Sequence, residues 1–211
     1  MTINRSPSRH VCLLCEGSDE LKAVVPPAIQ AGLRNGEQCV LVVPEQSQDD
    51  WLLELQVHGI DVNTERDRGA LRLVSSWGGP ASHSLDMGRW LLDDMQPGLQ
   101  AFQGVLYVVD IDGSISSGMT CEALCHWEAT INVLIEGEAV SILCLYDREA
   151  MDPDAIGAAL RTHKSVIRQG STFSNPNEES RRILEHEPRL NGMEVDADSI
   201  EEMLARLTQV S

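Results

Sequence analysis

The stretch HVCLLCEGSDEL, from His10 to Leu21, changes its hydrophobic period halfway along. Val11 to Cys15 form a continuous apolar run, as in a strand buried on both faces of a parallel sheet. Glu16 and Gly17 make a short turn. Ser18 is placed to cap a helix, with Asp19 and Glu20 suited to the positive end of its dipole. Strand, glycine turn and helix are the layout of a phosphate cradle. Its chemistry is missing. A P-loop needs glycines spaced around the phosphates, a lysine and a Ser/Thr hydroxyl. Here Glu16, Asp19 and Glu20 stand where phosphates would lie, and Lys22 falls inside the helix.

Outward from this turn, strands and helices alternate. Leu21, Val24, Val25, Ile29 and Leu33 make an apolar helical face, with an expected break at Pro26–Pro27 and an end at Asn35–Gly36. QCVLVVP reads as a buried strand, Trp51–Val57 as a helix closed by HGIDV, and ALRLVSS as a strand. Residues 77–84 read as a loop, and a helix follows from Leu85 to Leu99. GVLYVVD is another buried strand, and Cys121–Ile135 a helix. AVSILCLYD is a strand, Asp152–Pro153 opens a helix to about His163, and SVIRQGS adds a last strand. Alternation of this kind predicts an α/β fold: a mostly parallel sheet covered by helices on both faces. In such sheets ligands sit outside the carboxyl ends of the strands. Glu16, Glu45, Asp110 and Asp147 fall at or just past those ends, an expected acidic rim. The polar stretch after Asn175–Pro176 reads as a linker. It leads to a short amphipathic helix with a Ser199/Glu202 capping box and an Ile200, Met203, Leu204, Leu207 stripe. That stripe would pack on its own domain or, alternatively, on a second copy or a partner.

The 211 residues suit one α/β domain with a tail, and 42% hydrophobic residues are enough for a real core. A net charge of -17 repels phosphate backbones and anionic lipid, so neither nucleic acid nor a membrane surface is an expected partner. No apolar run reaches the ~18 residues of a membrane span, and Met1–Arg9 lack the apolar core of a secretory signal. The six cysteines lie in apolar or amphipathic runs, as suits reduced thiols in a cytoplasm.

No motif for catalysis emerges. Cys12 and Cys15 are spaced C-x-x-C, but residues three apart on a strand face opposite ways. Cys121 and Cys125, beside His126, have helical spacing without a second ligand pair. The histidines form no metal motif; His10 and His163 each flank a strand and either meet in space or are structural. G-x-S-x-G is absent, and no Cys or Ser has an evident base beside it. Neither a metal nor a cofactor is expected, and the chain does not read as an enzyme.

Together these stretches resemble a known family. HVCLLCE, AGLRNGEQCVLVV, GIDV and RGALRL are followed by WEATIN (Glu128, Asn132), ILCLYDR (Cys144, Tyr146, Asp147), THKSVI (His163) and Asn175–Pro176. In this order and spacing they are similar to the MEDS domain, the sensory domain of methanogens, methylotrophs and the dichloromethane regulator. The resemblance covers about His10 to Pro176. It implies a degenerate relative of the RecA/KaiC core that has lost its P-loop. It also implies a cytoplasmic signalling protein that binds a small molecule, apolar ones included, and passes its state to a separate histidine kinase or transcription regulator. A nucleotide-binding KaiC-like protein and a ligand-free interaction module are the alternatives. Two departures stand out. A tryptophan expected near Asp110 and Asp112 is absent, and an aromatic pair near Asn175–Pro176 is replaced by Asn177 and Glu178.

The expected organisation is therefore a sensory domain over residues 8–178 and a linker with one helix over 179–211. The candidate ligand-binding residues are His10, Glu16, Asp110, Glu128, Asp147 and His163. Glu16, Asp110 and Asp147 are chosen as strand-end acids. Glu128 is chosen for its place in the family motif and is expected off the apolar helix face set by Leu124, Ile131 and Ile135. His10 precedes the first strand and so is expected at the opposite edge from the acids.

Overall fold

The computed structural model describes residues 9–75, 84–111 and 120–185. The expected C-terminal helix, Asp112 and most of the 77–84 loop lie outside the described residues. The described residues build one seven-stranded sheet in the order β3-β2-β4-β5-β1-β6-β7. The strands are β1 (Arg9–Cys15), β2 (Gln38–Val42), β3 (Leu71–Val74), β4 (Val105–Asp110), β5 (Val140–Asp147), β6 (Ser165–Arg168) and β7 (Ser171–Ser174). All neighbours pair in parallel except β6 with β7. That final pair is a hairpin turned at Gln169–Gly170, both with positive φ, as a two-residue turn requires. The strand expected over SVIRQGS therefore ends at Arg168.

Alternation along the strands sorts the core into two layers. Leu13, Leu41, Val108, Leu143 and Leu145 face one way, under α1 (Ser18–Arg34), α2 (Gln48–Val57) and α3 (Val62–Asp67). Cys12, Leu14, Val40, Tyr107, Ile142, Cys144 and Tyr146 face the other way. They lie under α4 (Ser84–Ala101), α5 (Cys121–Leu134) and α6 (Pro153–Thr162). On this side Tyr107 donates to Asp94 at 2.8 Å, and Arg72 grips the same carboxylate through two nitrogens at 2.7 and 3.2 Å, tying α4 to the sheet.

Several local expectations change. α1 runs unbroken through Pro26 and Pro27. Packing of Val25, Pro26 and Ile29 against the sheet offsets the lost hydrogen bonds. Gly17, at φ 91, takes the N-cap position and Ser18 is the first helical residue. Within HGIDV, Asp61 accepts from the Thr64 amide and starts α3. Part of the stretch read as a linker is helical: α7 (Ser180–Glu185) lays Ile183 on Cys125, Ala129 and Ala158. No described helix is long and apolar enough to cross a membrane.

Candidate functional site

Two groups of polar side chains emerge, one at the carboxyl edge of the sheet and one inside it. The edge holds the strand-end acids. β4, β5 and β1 are neighbours, so Asp110, Asp147 and Glu16 fall close to one another at their ends. Glu16 is exposed and ion-pairs with Arg148 at 2.9 Å. Its amide donates to Glu20 Oε2 at 3.1 Å, so the turn closes on its own carboxylate. Asp147 accepts from the Glu149 amide at 2.9 Å and shapes the loop after β5. Beneath them lies the buried Cys15 thiol, which burial and then Asp147, Glu20 and Asp110 push up to about 12.

The interior group is built from elements far apart in sequence. His10 is the second residue of β1, towards the amino edge, as expected from its position. Its side chain points with Cys12 and Leu14 into the layer under α5. On β5, Ile142, Cys144 and Tyr146 point the same way, and Cys12 pairs in register with Cys144. Glu128 descends on them from α5. It does not lie off the apolar face: it follows Leu124 by one turn and precedes Ile131 by three residues, so it sits within that stripe. His163 enters from the junction of α6 and β6. His10 is 4% exposed, and Glu128, Cys144, Tyr146 and His163 are 0% exposed.

Glu128 is the hub. Its Oε2 lies 2.8 Å from His10 Nε2, 3.4 Å from His163 Nε2 and 3.7 Å from Cys144 Sγ. Its Oε1 accepts from the Tyr146 hydroxyl at 2.7 Å. Cys144 Sγ is 3.4 Å from His10 Nε2. The two imidazoles are stacked at a tilt, with centroids 3.9 Å apart, and Tyr146 meets His163 edge-on.

Charges follow from this packing. Burial alone would raise the Glu128 carboxyl; attraction from His163 and hydrogen bonds from His10 and Tyr146 reverse that and hold it below the usual carboxylate range. Burial, then repulsion from His10, push the His163 imidazole down. Burial, then Glu128, push the Cys12 and Cys144 thiols and the Tyr146 phenol well up, so these remain protonated.

A polar brace holds His163 in place. Asn175 donates to Leu160 O and His163 O, both at 2.6 Å. Asn132, one turn beyond Glu128 on α5, donates to Thr162 O at 2.7 Å and Ser180 Oγ at 2.9 Å. Asn177 and Glu178 take backbone roles: the Asn177 amide donates to Asn175 Oδ1, and Glu178 caps the Ser180 amide. One connected system thus spans β1, β5, α5, α6 and α7.

Of the six expected ligand-binding residues, His10, Glu128 and His163 come together here, while Glu16, Asp110 and Asp147 lie at the carboxyl edge. Cys144 and Tyr146, both in the stretch ILCLYDR, are site residues that the sequence reading does not single out. Their shared parity on a strand beside β1 is the signal that would have added them. Cys121 and Cys125 do not join this cluster, and all six cysteines are free. A family model described as MEDS, the MEthanogen/methylotroph, DcmR Sensory domain, matches residues 9–164. No curated protein matches the chain.

Proposed function

The chain belongs to the MEDS sensory-domain family, and from that premise we propose that it is a cytoplasmic signal-transduction protein, not an enzyme, whose sensing centre is the buried Glu128 cluster. The observation that carries this reading is one carboxylate contacted by His10, His163, Cys144 and Tyr146 from three other elements, with no exposure to solvent. Burying an ionised acid among titratable groups costs several kcal/mol, and a well-packed apolar replacement is often as stable or more so, so a functional reason supports it. The cluster favours a small cationic or hydrogen-bonding ligand over an anion. Any change in it is felt by α5, α6 and α7 through Asn132 and Asn175, and that helical face would pass the state to a separate histidine kinase or transcription regulator.

The same reading takes the turn at Glu16–Gly17 as a phosphate site lost from a RecA/KaiC-like scaffold. Glu20 on the Glu16 amide and Arg148 on the Glu16 carboxylate support this. Labelled ATP with magnesium tests that part: the reading expects no binding at millimolar ATP, and micromolar affinity would favour the nucleotide-binding alternative. Native mass spectrometry of the protein purified from its own host tests the centre. A retained small ligand should be lost in Glu128→Gln and kept in the Asp110→Asn, Asp147→Asn double variant. Loss in the double variant alone would move the site to the rim.

A further inference from the structure

The cluster contains a mismatch. His163 donates from Nδ1 to Ala159 O at 2.9 Å, so in the neutral ring Nε2 carries the lone pair. That nitrogen is wholly buried and has no hydrogen-bond partner. It nevertheless points at Glu128 Oε2, 3.4 Å away. A lone pair facing a carboxylate oxygen in a dry interior is repulsive unless something positive lies between them.

The geometry around that point is that of a coordination shell. One donor atom each from His10, Glu128, Cys144 and His163 lie within 4.8 Å of one another. Contacts among them run from 2.8 to 3.7 Å. A tetrahedral divalent ion with bonds of about 2.0–2.3 Å keeps its donors roughly 3.3–3.8 Å apart, so small shifts suffice. Outer contacts already orient two donors, as metal ligands require. Ala159 O fixes the His163 tautomer, and Tyr146 occupies Glu128 Oε1 so that Oε2 faces inward. Charge also closes: one carboxylate and one thiolate neutralise a divalent ion, leaving no net buried charge.

We propose that His10 Nε2, Glu128 Oε2, Cys144 Sγ and His163 Nε2 form a four-coordinate site for a divalent transition-metal ion of the zinc class. The assignment builds on the reading of this cluster as the sensing centre and names its ligand. Two imidazoles and a thiolate exclude magnesium and calcium, which take oxygen donors, and a single thiolate is too few for an iron–sulfur cluster. On binding, the Cys144 S–H bond breaks, a metal–sulfur bond forms and the proton leaves to solvent. His10 shifts its proton from Nε2 to Nδ1 by exchange with solvent, so the Nε2–H hydrogen bond to Glu128 is replaced by one metal bond to Nε2 and one to Oε2.

Titration of the metal-free full chain with cobalt(II) tests this. The expected result is one equivalent bound, with the visible bands of a tetrahedral ion and a near-ultraviolet thiolate-to-cobalt band, both erased by zinc. Cys144→Ser, a near-isosteric change checked for folding by circular dichroism, should lose the charge-transfer band. Tyr146→Phe should keep both bands and weaken binding by about 10–100-fold, as loss of an outer partner does. An absent or octahedral spectrum, or a charge-transfer band that survives in Cys144→Ser, overturns the site. The two claims fail separately. No cobalt binding, with another molecule retained from the host and lost in Glu128→Gln, removes the metal and leaves the sensing centre. The expected spectrum, with amide exchange in α5, α6 and α7 insensitive to cobalt, keeps the site and removes its sensing role.

Discussion

Tyr146 on β5 donates its hydroxyl to Glu128 on α5 at 2.7 Å, with both side chains fully buried. The bond joins the centre of the sheet to the helix above it and sets which carboxylate oxygen meets the histidines. Deleting either partner strands the other in a dry interior. Tyr146→Phe should cost about 1–3 kcal/mol, and Glu128→Ala, which leaves His10 and Tyr146 without their acceptor, about 3–5 kcal/mol. Urea unfolding of both single variants and the double variant checks this. The double variant should cost clearly less than the sum.

Asn175 holds the carbonyls of Leu160 and His163 together. Asn175→Ala leaves both without that donor and should lower stability by about 1–3 kcal/mol. It should also loosen the hairpin of β6 and β7, seen as faster amide exchange over residues 164–175.

On the opposite sheet face, burial, then Glu37 and Glu65, push the Cys39 thiol up to about 12. In the unfolded chain it ionises near its ordinary value of 9.0. Above that pH the unfolded state binds fewer protons than the folded one, so stability falls as pH rises from about 9 towards 12, by up to about 1.4 kcal/mol per pH unit. Chemical unfolding between pH 8 and 10.5 should show a steeper loss for the natural protein than for Cys39→Ala.

Gly104 brings β4 against the end of the α5–β5 connection so closely that an added Cβ would lie 2.6 Å from the Ala139 carbonyl oxygen. A backbone atom cannot swing aside as a side chain does. Gly104→Ala should therefore lower the thermal midpoint by several degrees, whereas Gly59→Ser, in open space, should be limited to the strain of its positive φ.

The layered sheet was legible from hydrophobic period alone, because buried parallel strands such as QCVLVVP and GVLYVVD are continuous apolar runs. The continuous α1 was not, since propensity at Pro26–Pro27 argued for a break and burial decided otherwise. The β7 strand hid in polar residues, STFS, whose pairing comes from the turn before it rather than from any apolar pattern. The acids at the strand ends were readable because parallel strands deliver their ends to one edge. The interior cluster was readable only in pieces. His10, Glu128 and His163 stood out as residues, but their meeting depends on β1 lying between β5 and β6, a non-local pairing that no period encodes. Placing Glu128 off the apolar stripe was an error of helical geometry: four residues on from Leu124 is a rotation of only about 40°.

The central claim is that ligand is read inside the Glu128 cluster and felt by the helices over it. The most direct measurement is amide hydrogen exchange on the protein as purified from its own host, compared with the same protein after unfolding, dialysis and refolding. The account predicts that the stripped form exchanges faster in α5, α6 and α7, with α1, α2 and α3 unchanged. A difference centred on the turns at residues 15–20 and 147–151, or no difference at all, would contradict it.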